Sequence, residues 1–204
     1  TSNMPLPSLP AKAAYLYLNN PGRRNALSVS VLRDLRNQLH KHLTSPLTGR
    51  LLVLPPFKPS VLDQLESGTE DLRWLTDASE WARQRDGLPN VLVLRSEGPV
   101  FSSGHDLKAL ASASHDEVKE IFSLCAEVMS LIRRSPAIVV CPIQGLATAA
   151  GFQLAMTTDY PIALASTQFC LPGMGLGLPC TSPSTAVSRR LPPALAYRMF
   201  ASAE

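Results

Sequence analysis

FSSGHDLKAL (101–110) and PIQGLATAAGFQLAMTTD (142–159) are the stretches that decide the fold. Each reads as the end of a strand, a glycine-containing bend and the start of a helix. Such bends leave backbone N–H groups unpaired at a helix N-terminus, where they can hold negative charge. Ser102, Ser103, Gly104, His105 and Asp106 make the first bend; Gly145, Ala149, Ala150 and Gly151 make the second. Two such donors aimed at one oxygen stabilise an oxyanion, and a single donor is worth roughly 3 kcal/mol. Tight turning without any ligand is an equal reading of the same glycines. Asp106 suits the cap of a helix starting at Leu107. His105 is the one histidine in a polar, bent setting, fit for acid–base work or for a bond to loop backbone. Gln153 is polar within an otherwise apolar helix and needs partners if buried. Cys180 lies in a loop with no paired base beside it.

Working outward, AAYLYLN (13–19) and NVLVLRSE (90–97) read as strands, the second as a central, buried one. Leu27, Val31, Leu35, Leu39 and Leu43 recur every fourth position after Ser28, giving a helix with one buried stripe. Ser114 and Glu117 have capping-box spacing ahead of a helix from about Asp116 to Arg134, which Pro136 ends. AIVVCPIQG is a second buried strand, TAAGFQLAM a buried helix and DYPIAL (159–164) a further strand. The glycine- and proline-rich run 169–185 reads as a structured loop, followed by helical AVSRRL and ALAYRMFASAE. This alternation predicts an α/β fold with right-handed crossovers.

Three regions stand apart. Residues 1–12 carry three prolines and are expected to form a flexible N-terminal arm. The remainder, 13–204, is expected to be one domain. Within it, 44–90 reads as an insertion or extended excursion, with too little apolar content for a core of its own. LLVL (51–54) would be a short strand cut off by PPFKP. Thr69 would cap a helix presenting Leu72, Leu75, Ala78 and Trp81, with Trp74 and Trp81 packing it on the body.

Composition excludes several classes. The 204 residues carry a net charge of +3 and no Lys/Arg run longer than two, which argues against nucleic acid. The four cysteines and four histidines form no ligand-spaced group, so no metal site is expected. Cys125 and Cys141 lie in apolar runs and suit the core. No run approaches the ~18 apolar residues of a membrane span, and no secretory signal is visible. An intracellular location is expected. Walker A and GxGxxG patterns are missing, and MGLGLP (174–179) is only loosely similar to a nucleotide loop.

LNNPGRRNALS (18–28), FSSGHDLKAL (101–110), QGLATAAGFQLAMTTDY (144–160) and FCLPGMGLGLP (169–179) together resemble the enoyl-CoA hydratase/isomerase (crotonase) superfamily, in the family's own order. The closest likeness is to the divergent enoyl-CoA hydratase domain-containing protein 3 branch. With the helices between them, these segments cover about three quarters of the chain. The resemblance implies an α/β, crotonase-like spiral of ββα turns. Because family members run on well beyond the position of Glu204, the fold is expected to be truncated before the C-terminal helical region, with the last helix ordered by more chain or by a partner subunit.

The resemblance also implies an acyl-CoA partner, no separate cofactor, and a homotrimer or hexamer in the mitochondrion or cytoplasm. By position, the oxyanion donors fall on the N–H groups of His105 and Ala150. Phe101, Ser102 and Ser103 fall on the adenine-side wall, Asp106 and Ala26 on the coenzyme site, and Leu107 beside the pantetheine channel. Arg23 and Arg24 fall near the phosphates. The family's two hydratase glutamates are replaced by Gln153 and Gly173, and neither supplies a general base. Three functions follow as expectations: decarboxylation of a malonyl-type acyl-CoA through His105, where Cys180 stands at a tyrosine of that family subset; non-catalytic acyl-CoA binding; or weak hydration using water held by Gln153 or by a residue of 44–90.

Overall fold

The computed structural model describes residues 7–178 and 180–203. Four strands, β1 (Ala13–Leu18), β2 (Val91–Ser96), β3 (Ile138–Ile143) and β5 (Tyr160–Ala163), form a parallel sheet in the order β1-β2-β3-β5. Leu16 pairs with Leu94, Leu92 with Val139 and Cys141 with Pro161. Side chains alternate across the sheet. Leu92 and Leu94, then Val139, Cys141 and Ile143, are buried on the helical face. Ile138 and Ile162 on the opposite face are more than half exposed. The apolar runs of β2 and β3 therefore mark strands buried on one face, not two.

Two long helices cover the buried face. In α1 (Val29–Leu43) the Ser28 hydroxyl accepts from the Val31 N–H, and Leu32, Leu35, Leu39 and Leu43 are fully buried. In α5 (His115–Arg133) the capping box forms: the Ser114 hydroxyl accepts from the Glu117 N–H and the Glu117 carboxylate accepts from the Ser114 N–H. Ion pairs Arg33–Glu120 and Arg36–Glu127 run along the exposed rim between these helices. Solvent screening makes each worth at most about 1 kcal/mol. The stability lies in the leucine stripe beneath them, at roughly 1.5–3 kcal/mol per fully buried side chain.

The excursion departs from expectation at three points. Leu51 makes an isolated bridge to Thr44, and no strand extends over 51–54. The helix expected from Thr69 onward is broken into a 3₁₀ turn (Glu70–Leu75) and α3 (Ala78–Gln84), and α2 (Pro59–Glu66) precedes them. Thr69 makes no side-chain cap, whereas the Asp77 carboxylate accepts from the N–H groups of Ser79 and Glu80 and restarts the helix. Trp74 and Trp81 stack on each other at 5.3 Å and, with Leu52 and Leu88, form a small cluster separate from the main core. The tryptophans thus pack within the excursion rather than on the body.

Two three-residue strands, β4 (Leu146–Thr148) and β6 (Gln168–Cys170), pair in parallel below the main sheet. Helix α6 (Ala150–Thr157) follows β4 and is buried on every side. The expectation of a fold truncated before the C-terminal helices is overturned. Helices α7 (Thr181–Ser188) and α8 (Pro193–Ser202) follow the last strand, and Val187, Ala196 and Met199 are buried. Apolar spacing in 186–199 suffices to dock both helices. Of the N-terminal arm, residues 1–6 lie outside the described residues; at Pro7 the carbonyl accepts from the Tyr15 hydroxyl.

One buried side chain ties these layers together. Asn25, fully buried and at φ +50°, donates through Nδ2 to the carbonyls of Glu97 and Val100, both at 2.8 Å, and accepts from the Asn20 N–H. Asn25→Ala leaves three partly buried backbone groups without this partner. It is expected to lower unfolding free energy by about 2–4 kcal/mol in urea titration; a loss below about 0.5 kcal/mol would contradict this role.

Candidate functional site

The first bend is stitched on both sides. The Ser102 N–H donates to the Leu146 carbonyl at 3.2 Å, and the Thr148 N–H donates to the Ser102 carbonyl at 3.1 Å. On the other flank, the Ser103 N–H donates to the Arg24 carbonyl and the Leu27 N–H to the Gly104 carbonyl. The Ser102 hydroxyl donates to the Asn25 carbonyl at 2.8 Å and accepts from the Gly104 N–H. Residues 102–104 are thus held between residues 24–27 and 146–148 as a third strand-like segment.

The two bends touch at Gly104. A Cβ there would lie 2.9 Å from the Thr148 carbonyl oxygen and 3.2 Å from the Ala150 nitrogen, and φ is +80°. Only glycine fits both conditions. Gly151 is equally constrained, since a Cβ would lie 2.6 Å from the Ser102 carbonyl oxygen. Ala149, at φ +50° and ψ −123°, occupies a region that favours glycine, a strain of about 1–3 kcal/mol. Its N–H donates to the Cys170 carbonyl at 3.0 Å, which holds the bend open. Among the described residues, the N–H groups of His105 and Ala150 make no backbone hydrogen bond.

Both donors border a cavity of about 280 Å³. Its apolar wall includes Leu107, Leu110, Phe122, Pro172, Leu176 and Leu178; its polar groups include Ser103, His105, Gln153, Cys180 and Ser182. No Asp or Glu lines it among the described residues. The His105 ring meets Phe122 edge-on at 5.1 Å, and Nδ1 lies 3.3 Å from the Leu27 carbonyl. That acceptor selects the Nδ1–H tautomer and leaves Nε2 as a lone pair. Burial pushes the His105 pKa below the usual histidine value, opposed in part by the bond to Leu27. The ring is therefore neutral at pH 7.

Gln153 and Gly173, the two positions the resemblance assigns to carboxylates, differ in their surroundings. Gln153 is 9% exposed, and its Oε1 accepts from the Ser182 hydroxyl at 3.0 Å. Gly173 leaves no room for a side chain: a Cβ would lie 2.1 Å from the Leu178 carbonyl oxygen and 2.5 Å from the Cys180 sulfur. Cys180 lines the cavity.

The remaining expected residues divide into three groups. Phe101 and Ser102 have no exposed surface, so neither forms a ligand wall; Phe101 joins the core and Ser102 stitches backbone. Ala26 is 6% exposed, and its N–H and carbonyl are taken by Arg23 and Ser28. Ser103 and Leu107 do reach the cavity. Arg23 pairs with Asp106 at 2.6 Å, while the Asp106 carboxylate also caps α4 (Leu107–Ser112) by accepting from the Ala109 N–H. That cap bond, followed by the Arg23 charge, holds the Asp106 carboxyl below the usual range. Arg24 is exposed and makes no ion pair among the described residues. Sequence reasoning missed Phe122 and Ser182 as site residues. Phe122 sits within a core-type helical stripe, and nothing local to Ser182 signals that α7 turns it onto Gln153.

Comparison with known proteins matches this architecture. Residues 74–204 match the profile of the family described as Enoyl-CoA hydratase/isomerase. The chain is 36% identical over 190 residues to Enoyl-CoA hydratase domain-containing protein 3, mitochondrial, of Rattus norvegicus, a match spanning 93% of this chain and 50% of that protein. Its Homo sapiens counterpart is 32% identical over 191 residues, spanning 93% and 49%. The crystal structure of the human domain-containing protein 3 superposes with a TM-score of 0.67 at 30% identity, covering 97% of this chain and 62% of that one. An enoyl-CoA hydratase from Mycobacterium smegmatis gives 0.67 at 28% identity, covering 94% and 59%. The chain spans about half the length of the curated relatives it matches.

Two outcomes test the site's construction. Gly151→Ala is expected to abolish soluble folded protein or lower its melting temperature by roughly 10 °C or more, because its neighbour is backbone that cannot retreat. Unchanged melting would contradict the contact. His105 gives the second. Its folded pKa is depressed, so between the unfolded value and the folded one the unfolded chain binds a proton that the folded chain refuses. Stability should be fully retained above about pH 6.5 and fall as pH drops toward 5. The fall should be shallower in His105→Gln, measured by urea unfolding at pH 7, 6 and 5; identical slopes would contradict burial of a neutral ring.

Proposed function

The chain belongs to the enoyl-CoA hydratase/isomerase family, and from that premise we propose that it binds an acyl-CoA thioester, with the N–H groups of His105 and Ala150 donating to the thioester oxygen. The observation that supports this reading is the contact between the two bends at Gly104, together with N–H groups of His105 and Ala150 that lack backbone partners in residues lining one cavity. Two donors pre-aimed at an oxygen cost no reorganisation when charge develops there, and each is worth roughly 3 kcal/mol in such a site. Leu107 and Leu110 suit the apolar arm of the ligand. The exposed Arg24, next in sequence to Arg23, suits its phosphates.

The same geometry argues against ordinary hydration. Adding water to an enoyl thioester needs a base to take a proton from water. Gln153 cannot act as one at neutral pH, and Gly173 has no space for a replacement. Any turnover would instead be lyase chemistry in which the oxyanion pair holds the enolate, or isomerase chemistry in which another group, such as His105, moves the proton.

A second reading is favoured by His105 and the absence of acid from the cavity wall among the described residues. A malonyl-type thioester could place its carboxylate there without meeting like charge. Breaking the bond to the carboxylate carbon would release CO2 and leave the electron pair in an enolate, held by the two N–H groups until a solvent proton arrives.

The relatives named mitochondrial support a mitochondrial source for this chain as part of the same proposal. The exposed apolar side chains Tyr160, Ile162 and Leu164 support assembly of copies, with a trimer or hexamer proposed. One domain over 13–204, with 44–90 inserted, completes the proposal.

Titration calorimetry tests the main reading. Acetyl-CoA is expected to bind at least tenfold more tightly than S-ethyl-CoA, a thioether of similar size that lacks the carbonyl. Equal affinity would contradict the oxyanion assignment. Crotonyl-CoA hydration should stay at trace level. CO2 release from malonyl- or methylmalonyl-CoA, lost in His105→Ala, would establish the second reading, and release no greater than that variant's background would remove it.

A further inference from the structure

A second cavity, of about 170 Å³, lies on the far side of Gln153, and Gln153 and Ser182 are walls of both cavities. Its character is different. Arg133, from the last turn of α5, and Arg189, at the end of α7, line it together with the hydroxyl residues Ser130 and Thr185. No carboxylate lines it among the described residues, and neither arginine has an ion pair among them. Two unpaired guanidinium groups and two hydroxyls form a donor set with no built-in anion. Gln153 contributes a further donor to the shared wall. It is 9% exposed, its Oε1 is taken by Ser182, and its Nε2 donor has no partner among the described residues.

We infer that this chain prefers acyl-CoA ligands whose acyl group ends in a carboxylate, that is, thioesters of dicarboxylic acids, with the distal carboxylate held by Arg133 and Arg189. The inference rests on the acyl-CoA reading of the first cavity. A thioester carbonyl at His105 and Ala150 directs its acyl chain into the first cavity, toward the Gln153 and Ser182 wall. Beyond that wall stand the two arginines. A simple alkanoyl chain would offer no partner to these two exposed guanidinium groups. A distal carboxylate would meet donors whose planar geometry suits bidentate binding. Gln153 then serves as a neutral partition, lending Nε2 to the acyl chain's polar end. A glutamate in its place would repel such a ligand. A neutral side chain at this position thus has a second consequence besides supplying no base: it puts no negative charge on the wall that the two cavities share.

Calorimetry on the intact chain with two matched series tests this. The diacid probes are succinyl-, glutaryl- and adipyl-CoA; the monoacid probes are butyryl-, valeryl- and hexanoyl-CoA, with free coenzyme A as reference. At least one diacid thioester is expected to bind tenfold or more tightly than its monoacid counterpart, and the advantage should shrink as salt rises. Arg133→Gln and Arg189→Gln should each remove most of the advantage while leaving monoacid thioesters and free coenzyme A within about twofold. Monoacid binding without any diacid preference would overturn this inference and leave the acyl-CoA reading standing. Loss of coenzyme A affinity in the arginine variants would also overturn it, by assigning the arginines to phosphate. Failure of every thioester and of coenzyme A to bind would overturn both readings together.

Discussion

Close approach of the Gly104 backbone to the Thr148–Ala150 turn is the constraint on which the rest of the site depends. The approach leaves no room for a Cβ at 104 or at 151, and it is enforced from both flanks by Ser102. Because Ser102 is bonded through its N–H, carbonyl and hydroxyl, the first bend has little freedom to slide. Asn25 extends the same restraint outward to the loop over 97–100. The strain at Ala149 is the local cost, offset by the parallel pairing of β4 with β6 and by the fully buried helix that follows. The N–H groups of His105 and Ala150 are then left without backbone partners, in residues that line one cavity.

Much of this was legible in the residues. The glycine bends, the Ser114–Glu117 capping box and the leucine stripe of α1 announce themselves because each depends on local spacing. The site's less visible parts depend on contacts distant in sequence. β4 and β6 are three residues long, too short for a period-two pattern to register. Phe101 and Ser102 carry motif positions, yet their burial is set by Asn25 and Leu146, which no local pattern reveals. The excursion misled for a different reason: the heptad-like spacing of Leu72, Leu75, Ala78 and Trp81 conceals the Asp77 cap that breaks it. The C-terminal helices were legible as helices, but not their docking. Val187 and Met199 find their partners in the main core itself.

Gln153 and Gly173, expected from the resemblance to stand at carboxylate positions, are both enclosed by neighbouring groups. Gly173 is enclosed by the Leu178 carbonyl and the Cys180 sulfur, so a glutamate there would require a different loop. Gln153 is engaged by Ser182 from α7. The cavity behind them carries two arginines and no acid among its described lining residues. Desolvation keeps His105 neutral, so the first cavity carries no fixed charge on its walls at pH 7. Low local charge and exclusion of water are conditions under which N–H dipoles act most strongly on a carbonyl. On the proposed reading, the two bends supply the groups that would polarise a thioester, and the wall at Gln153 and Gly173 supplies no group that would activate water.

The central claim is that two backbone donors converge on one thioester oxygen. Isotope-edited infrared difference spectroscopy of acetyl-CoA carrying 13C at the carbonyl tests it most directly. On binding, the carbonyl stretch is expected to move to lower wavenumber and to narrow, as two fixed hydrogen bonds weaken the C=O bond and remove solvent heterogeneity. A stretch that stays at its frequency in water while the ligand is demonstrably bound would contradict the account.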